Sequence, residues 1–331
     1  MKRQNIQVLR ILACLGILVV HIGQRLEFQG HIMNIAYFGA MGVYLFFIIS
    51  GYVCWLSFGR LNRGGEKLKL SSYYIGRFAR ILPVYYTVII FQFILHSYIL
   101  DDVPVDETHI GWFRYVFCIS ELIPSDNDFW TNLNATWTIG AFMLFYLIAP
   151  FLYKYIKSYH TALLAWLISY SINFVLNRSL PDGYNPFKYL MYFVFGIVIY
   201  YIDTEKKENQ LIWFYVINLL TIAVNLTHWK VHTWTMLFGL LVLGSRDLVM
   251  HNDFIEHCIT ILDEYSYSIY LVHPIAVEYI DRWKPSHMSS NWRIQAFIII
   301  IVGTAAGVIL VHNLIEKPSY RFIMRCVKKK E

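Results

Sequence analysis

Charge is what this sequence has least of. Only 15% of its 331 residues are Asp, Glu, Lys or Arg, against roughly 25% in an ordinary soluble domain. A water-soluble chain of this size must cover its surface with polar groups, so the shortage excludes a soluble enzyme. The hydrophobic content of 57% and the mean hydropathy of +0.46 exclude a disordered chain. Cysteine is scarce as well. There are five, with no CxxC spacing, most of them in or beside apolar runs. That excludes a disulfide framework and gives no metal site. Phosphate-binding glycine loops are missing: there is neither GxxxxGK[ST] nor GxGxxG. There is no HExxH either, so no zincin-type centre is expected.

What is present is a succession of apolar segments with short polar breaks. An all-α, polytopic membrane protein follows. Ten spans are expected, near 7–25, 36–58, 78–100, 137–156, 160–177, 188–202, 210–226, 229–245, 264–280 and 293–315. The short apolar stretch 112–123 reads as an interfacial piece outside the membrane. Ten spans put both termini on one side. With that side cytoplasmic, 20 of the 28 Lys and Arg fall inside and eight outside, as the positive-inside rule requires. The longest outside loop, 101–136, is acidic with a single Arg114. The net charge of +6 therefore reports sidedness, and no nucleic-acid partner is expected. Met1-Lys2-Arg3 before an apolar run mimics a signal peptide. Arg10 and His21 within the run, and no small-residue cleavage site after it, argue for a first span instead. Residues 1–331 read as one membrane domain with no appended soluble domain.

Ionisable residues inside a membrane are costly and point to function. Arg10 and His21 share the first span and are 11 residues apart, about three helical turns, so both lie on one face with roughly 16 Å between them. Arg77 and Arg80 are i,i+3 neighbours at the cytoplasmic edge of the third span. Planar guanidiniums suit phosphate oxygens. Pro83 shortly after them disfavours helix and is expected to break or kink it. Ser50-Gly51 in an aromatic run permits close helix packing. His273-Pro274 within Ser266 to Pro274 is expected to bend its helix and free backbone groups. Pro318 after Glu316 reads as a helix stop.

In order along the chain, these residues resemble one family. Arg10-x10-His21, FxxSGY (Phe47 to Tyr52), RFARILPVYY (Arg77 to Tyr86), SYSIYLVHP (Ser266 to Pro274) and EKPSYR (Glu316 to Arg321) are together similar to the acyltransferase-3 family. The resemblance runs from residue 10 to residue 321. These are integral membrane O-acyltransferases, mostly bacterial, that acylate surface polysaccharides. The sequence departs from the pattern at Phe142, where a glutamate is common. No catalytic carboxylate is therefore assigned to that segment.

The resemblance implies a multi-pass enzyme of a bacterial inner or plasma membrane. Its donor would be cytoplasmic acetyl-CoA, a substrate and not a bound cofactor. Its acceptor would be a hydroxyl of a surface or lipid-linked glycan, in the company of polysaccharide biosynthesis machinery. Arg77 and Arg80, with Arg10, would hold coenzyme A phosphates. The pantetheine arm would run along the first span toward His21, which acts either as general base or as a transient acyl carrier. Trp137, Tyr146, His273 and Ser268 are candidates for the acceptor side, as aromatic and hydrogen-bonding groups suited to sugars. Trp112 and Trp130 belong to the same aromatic set. The competing class is a transporter or flippase of a lipid-linked sugar. It would be expected to show duplicated halves with broken helices, and none is detectable.

Overall fold

The computed structural model describes the chain outside residues 1–3, 66–67, 96–97, 99–112, 120–135, 181–184, 186, 206, 213, 217–230 and 329–331. Among the described residues every regular element is helical. In chain order these are α1 (Gln4–Arg25), α2 (Gly30–Ala40), α3 (Gly42–Arg63), α4 (Leu70–Ile94), α5 (Trp137–Tyr155) and α6 (Tyr159–Ser179). There follow α7 (Leu190–Glu205), α8 (Val231–Gly244), α9 (Asp253–Arg282) and α10 (Ser290–Val311). A π-helical turn, His312–Glu316, leads into α11 (Lys317–Lys328).

Among these residues six helical runs are long and apolar enough to cross a membrane: Gln4–Arg25, Gly30–Arg63, Leu70–Ile94, Trp137–Tyr155, Tyr159–Ser179 and Ser290–Val327. They correspond to six of the ten expected spans. The expected spans 188–202 and 229–245 fall on α7 and α8, of 16 and 14 residues. At 1.5 Å per residue these reach about 24 and 21 Å, short of a hydrocarbon core of about 30 Å. Span 264–280 lies inside α9, which is long enough, but its 30 residues include Asp263, Glu264, Glu278 and Asp281. Span 210–226 falls largely outside the described residues.

The chain divides into two compact units. The first comprises Met1–Ala13, Met41–Leu68 and Leu144–Asp263. Its centre is α7, buried on every side from Met191 to Asp203, as expected of a helix that is apolar all round. α3 lies directly on α7. A side chain at Gly51 would strike the Phe193 carbonyl, and one at Gly196 would strike that of Ile48. These two glycines let the backbones touch, which is the packing role the Ser50-Gly51 pair suggests. Beyond that crossing, the Tyr52 hydroxyl donates to the buried Asp203 carboxylate at 2.8 Å.

The second unit comprises Cys14–Ala40, Lys69–Met143 and Glu264–Glu331. Leu18 and Ile22 of α1, with Leu26 just beyond it, pack with Val277 and Ile280 of α9 and with Ala296 and Ile300 of α10. α1 closes in a Schellman turn: the Phe28 N–H donates to the Gly23 carbonyl at 2.9 Å, and Glu27 takes a φ of 53°. Glycine is usual at that position. Glu27 is held there by Lys284, which donates to its carboxylate at 2.6 Å, and by Arg293, which donates to its carbonyl at 3.4 Å. α4 runs unbroken through Pro83, so the expected break is not there. Its Tyr85 and Tyr86 hydroxyls donate to the carbonyls of Tyr115 and Val116, pinning the 113–118 segment against it. α10 leaves Ile298, Ile299, Val302, Ile309 and Leu310 exposed. Such continuous apolar exposure is foreign to a water-facing surface and suits a lipid-facing one.

Candidate active site

α1 carries both Arg10 and His21, and each finds its partner on α9. In the first unit the Arg10 guanidinium meets Asp263 at 3.0 Å, and Gln7 donates to the same carboxylate oxygen at 3.3 Å. The Asp263 side chain is buried and that of Arg10 is 26% exposed. Gln7 and Arg10 are i,i+3, so one helix face supplies both donors. A charge inside the membrane boundary is thereby balanced locally. The sequence offered no sign of this pairing, because the partners are 253 positions apart.

In the second unit the pairing continues. The Cys14 thiol lies 3.5 Å from the Ser266 carbonyl, His21 Nδ1 lies 2.8 Å from His273 Nε2, and Arg25 donates to Asp281 at 2.7 Å. Numbers rise together on both helices, so α1 and α9 run parallel here. His21 is the group sequence reasoning singled out. His273, one of the acceptor-side candidates of the same reasoning, is its immediate neighbour, 1% exposed. His273 Nδ1 lies 3.0 Å from the Ile269 carbonyl one turn back, and it also engages the carbonyl of Tyr270. Pro274 explains that second contact. It has no N–H to give the Tyr270 carbonyl four residues before it, and the preceding side chain supplies a donor. The freed backbone group expected of His273-Pro274 is thus found and used. The Tyr270 ring lies beside that of His273, 6.0 Å between centroids, and its hydroxyl bonds Thr138.

The two arginines expected at the cytoplasmic edge sit on α4. Arg80 is exposed, while Arg77 is half-buried with its guanidinium 5.6 Å from the Tyr73 ring centre. Next to Arg80, the Tyr267 hydroxyl of α9 donates to the Ile81 carbonyl at 2.8 Å. Ser268, on the following position, is fully buried. Its hydroxyl donates to Glu316 at 2.6 Å, and His312 Nδ1 lies 2.9 Å from the same carboxylate oxygen. Ser268 and Glu316, drawn from two separate sequence motifs, therefore form one buried cluster at the π-helical turn. Both contacts converge on Glu316, which closes the π-helical turn that His312 opens. The helical run from Ser290 continues through the π-turn into α11, so Pro318 lies within it and does not end a helix.

Of the aromatic candidates, Trp137 opens α5 in the second unit and is half-buried; Tyr146 is buried in the first unit beside Phe145. They belong to different units. Trp112 and Trp130 lie outside the described residues. Phe142 sits half-buried on α5, with no carboxylate at that position. Among the described residues no three His, Cys, Asp or Glu side chains gather as metal ligands.

The second unit thus holds an imidazole pair between α1 and α9 and an exposed arginine on α4. No curated protein and no solved structure matches the chain. A profile of the acyltransferase domain does match, over residues 3–312, a stretch that holds α1 with His21, α4 with its arginines and the whole of α9. With a match over nearly the whole chain, the protein belongs to the acyltransferase-3 family.

Proposed function

We propose that this membrane acyltransferase moves an acetyl group from cytoplasmic acetyl-CoA to a hydroxyl of a surface or lipid-linked glycan. Family membership and the apolar helices support a membrane acyltransferase. The donor, the acceptor and a bacterial plasma-membrane setting are the finer reading. The observation that carries it is His21: an imidazole within a membrane-length helix, hydrogen-bonded to a second imidazole and to no carboxylate among the described residues.

His21 takes the proton of the acceptor hydroxyl as the oxygen attacks the thioester carbonyl. The C–O bond forms, the C–S bond breaks, and the proton passes to the departing thiolate. Arg80 and Arg77 hold the phosphates of coenzyme A at the cytoplasmic edge. Arg10, bonded to Asp263, contributes from the same face of α1 as His21. Both termini lie in the cytoplasm in this reading. The acceptor docks against the aromatic groups around Trp137.

The test is a stably inserted His21→Ala variant in a strain lacking the chromosomal copy. Mass spectrometry of the surface glycan is expected to show its acetyl groups lost. Normal acetylation by that variant ends the reading.

A further inference from the structure

The bonding around His273 fixes more than its own place. A backbone carbonyl can only accept a hydrogen bond. His273 Nδ1, 3.0 Å from the Ile269 carbonyl and engaging that of Tyr270, must therefore carry a proton. A neutral imidazole has one N–H, so His273 Nε2 holds a bare lone pair. That nitrogen lies 2.8 Å from His21 Nδ1, so His21 Nδ1 carries the proton of this bond. By the same rule His21 Nε2 is left bare. The chain of donors runs from His21 through His273 to the α9 backbone, and it ends there.

Ring geometry agrees. The centroids of the two imidazoles are 5.1 Å apart with 21° between their planes. That separation exceeds the nitrogen–nitrogen distance by about one ring width. The rings therefore meet edge to edge near a common plane, in the direction in which ring N–H bonds and lone pairs point. The opposite polarity would need a doubly protonated His273. At 1% exposure, and with no carboxylate bonded to either ring among the described residues, that charge would be buried without compensation.

We infer that His273 is a positioning residue, which sets the tautomer and plane of His21 so that His21 Nε2 is the nitrogen facing the reaction. This rests on His21 being the reactive group, and it adds which atom reacts and what aims it. The proton cycle closes on one atom. His21 Nε2 takes the hydroxyl proton and returns it to the thiolate, while His21 Nδ1–H stays bonded to His273 throughout. As the imidazolium forms, that bond becomes charge-assisted and strengthens. A carbonyl at the far end gives the proton no exit through His273.

The purified protein would be assayed with acetyl-CoA and the surface glycan extracted from a deletion strain. His273→Leu removes the acceptor at similar volume. It is expected to lower kcat about 100- to 10,000-fold, with KM for acetyl-CoA within about twofold because the donor's phosphates lie elsewhere. His273→Gln sets an amide oxygen near the lost Nε2 and is expected to recover at least about a tenth of kcat. If His273→Leu keeps kcat within a few-fold, or if Gln is as inactive as Leu in monodisperse protein, the inference is overturned. Nitrogen NMR of histidine-labelled wild type, with His21→Ala to assign the signal, checks the tautomer even if the Leu variant does not fold. A protonated Nδ1 on His21 supports the inference, and a protonated Nε2 overturns it. A His21→Ala enzyme that still transfers acetyl would instead remove the parent reading.

Discussion

Arg10 and Asp263 form an ion pair at 3.0 Å whose shared oxygen also takes a hydrogen bond from Gln7. The arginine of the first motif is therefore held by its own protein. Removing Asp263 leaves a guanidinium half-buried without its counter-charge. Asp263→Ala is expected to cost about 2–3 kcal/mol, a full buried-pair loss discounted for the partial exposure of Arg10. The double variant with Arg10→Ala should cost less than the two single changes added together. Thermal unfolding in detergent measures all four corners of that cycle, and simple additivity would show the pair to be uncoupled.

Two glycines predict opposite outcomes. Gly51→Ala drives a methyl into the Phe193 carbonyl on α7, and backbone cannot yield as a side chain can. A loss of about 3 kcal/mol or more is expected, seen as poor recovery of monodisperse protein. Gly76 on α4 has open space where a methyl would go. Gly76→Ala is expected to stabilise by up to about 1 kcal/mol through helix propensity. Equal behaviour of the two variants would contradict the α3–α7 crossing.

Lys284 holds the Glu27 carboxyl below its usual range, first by hydrogen bonding and then by charge. A depressed carboxyl stabilises the fold above its unfolded pKa, about 4.3, and loses that contribution as pH falls through the lower folded value. The midpoint difference between wild type and Glu27→Gln should be constant from pH 7 to about pH 5. It should then shrink toward pH 3.5. A difference that grows on acidification would reverse the assignment.

The cysteines report burial and sidedness. Cys326 is exposed on α11, whereas Cys14, Cys54 and Cys118 are buried. Burial pushes the Cys118 thiol up to about 11, so little thiolate exists at neutral pH. A membrane-impermeant maleimide should label Cys326 rapidly in inverted vesicles and not in right-side-out ones, and should spare Cys118 in both. Labelling of Cys326 from the outside would place the C-terminus on the other face.

Much of the helical pattern was legible in the sequence because lipid demands long apolar runs, and those runs are local. Six expected spans met that demand. For α7, composition does not separate a span from a helix buried in protein, since both settings select the same residues. Its 16 residues are shorter than the six apolar runs of membrane length. The polar sites divide in the same way. The same-face spacing of Arg10 and His21, and the strain of His273-Pro274, are properties of one segment and could be read. That His273 bonds His21, or that Glu316 gathers Ser268 and His312, depends on which helices become neighbours. No periodicity within a helix records that. Pro83 misled because proline removes a single hydrogen bond, and the helix on either side of it continues unbroken.

The parallel pairing of α1 with α9 also has a consequence in time. His21 and His273 are 252 residues apart, and chains are made at about 5–20 residues per second. For roughly 10–50 s of each synthesis the first helix waits in the bilayer with its imidazole unpartnered. If His21 is the reactive group, as proposed, its nitrogen acquires its orientation only after His273 has been made, so an unfinished chain would be inactive.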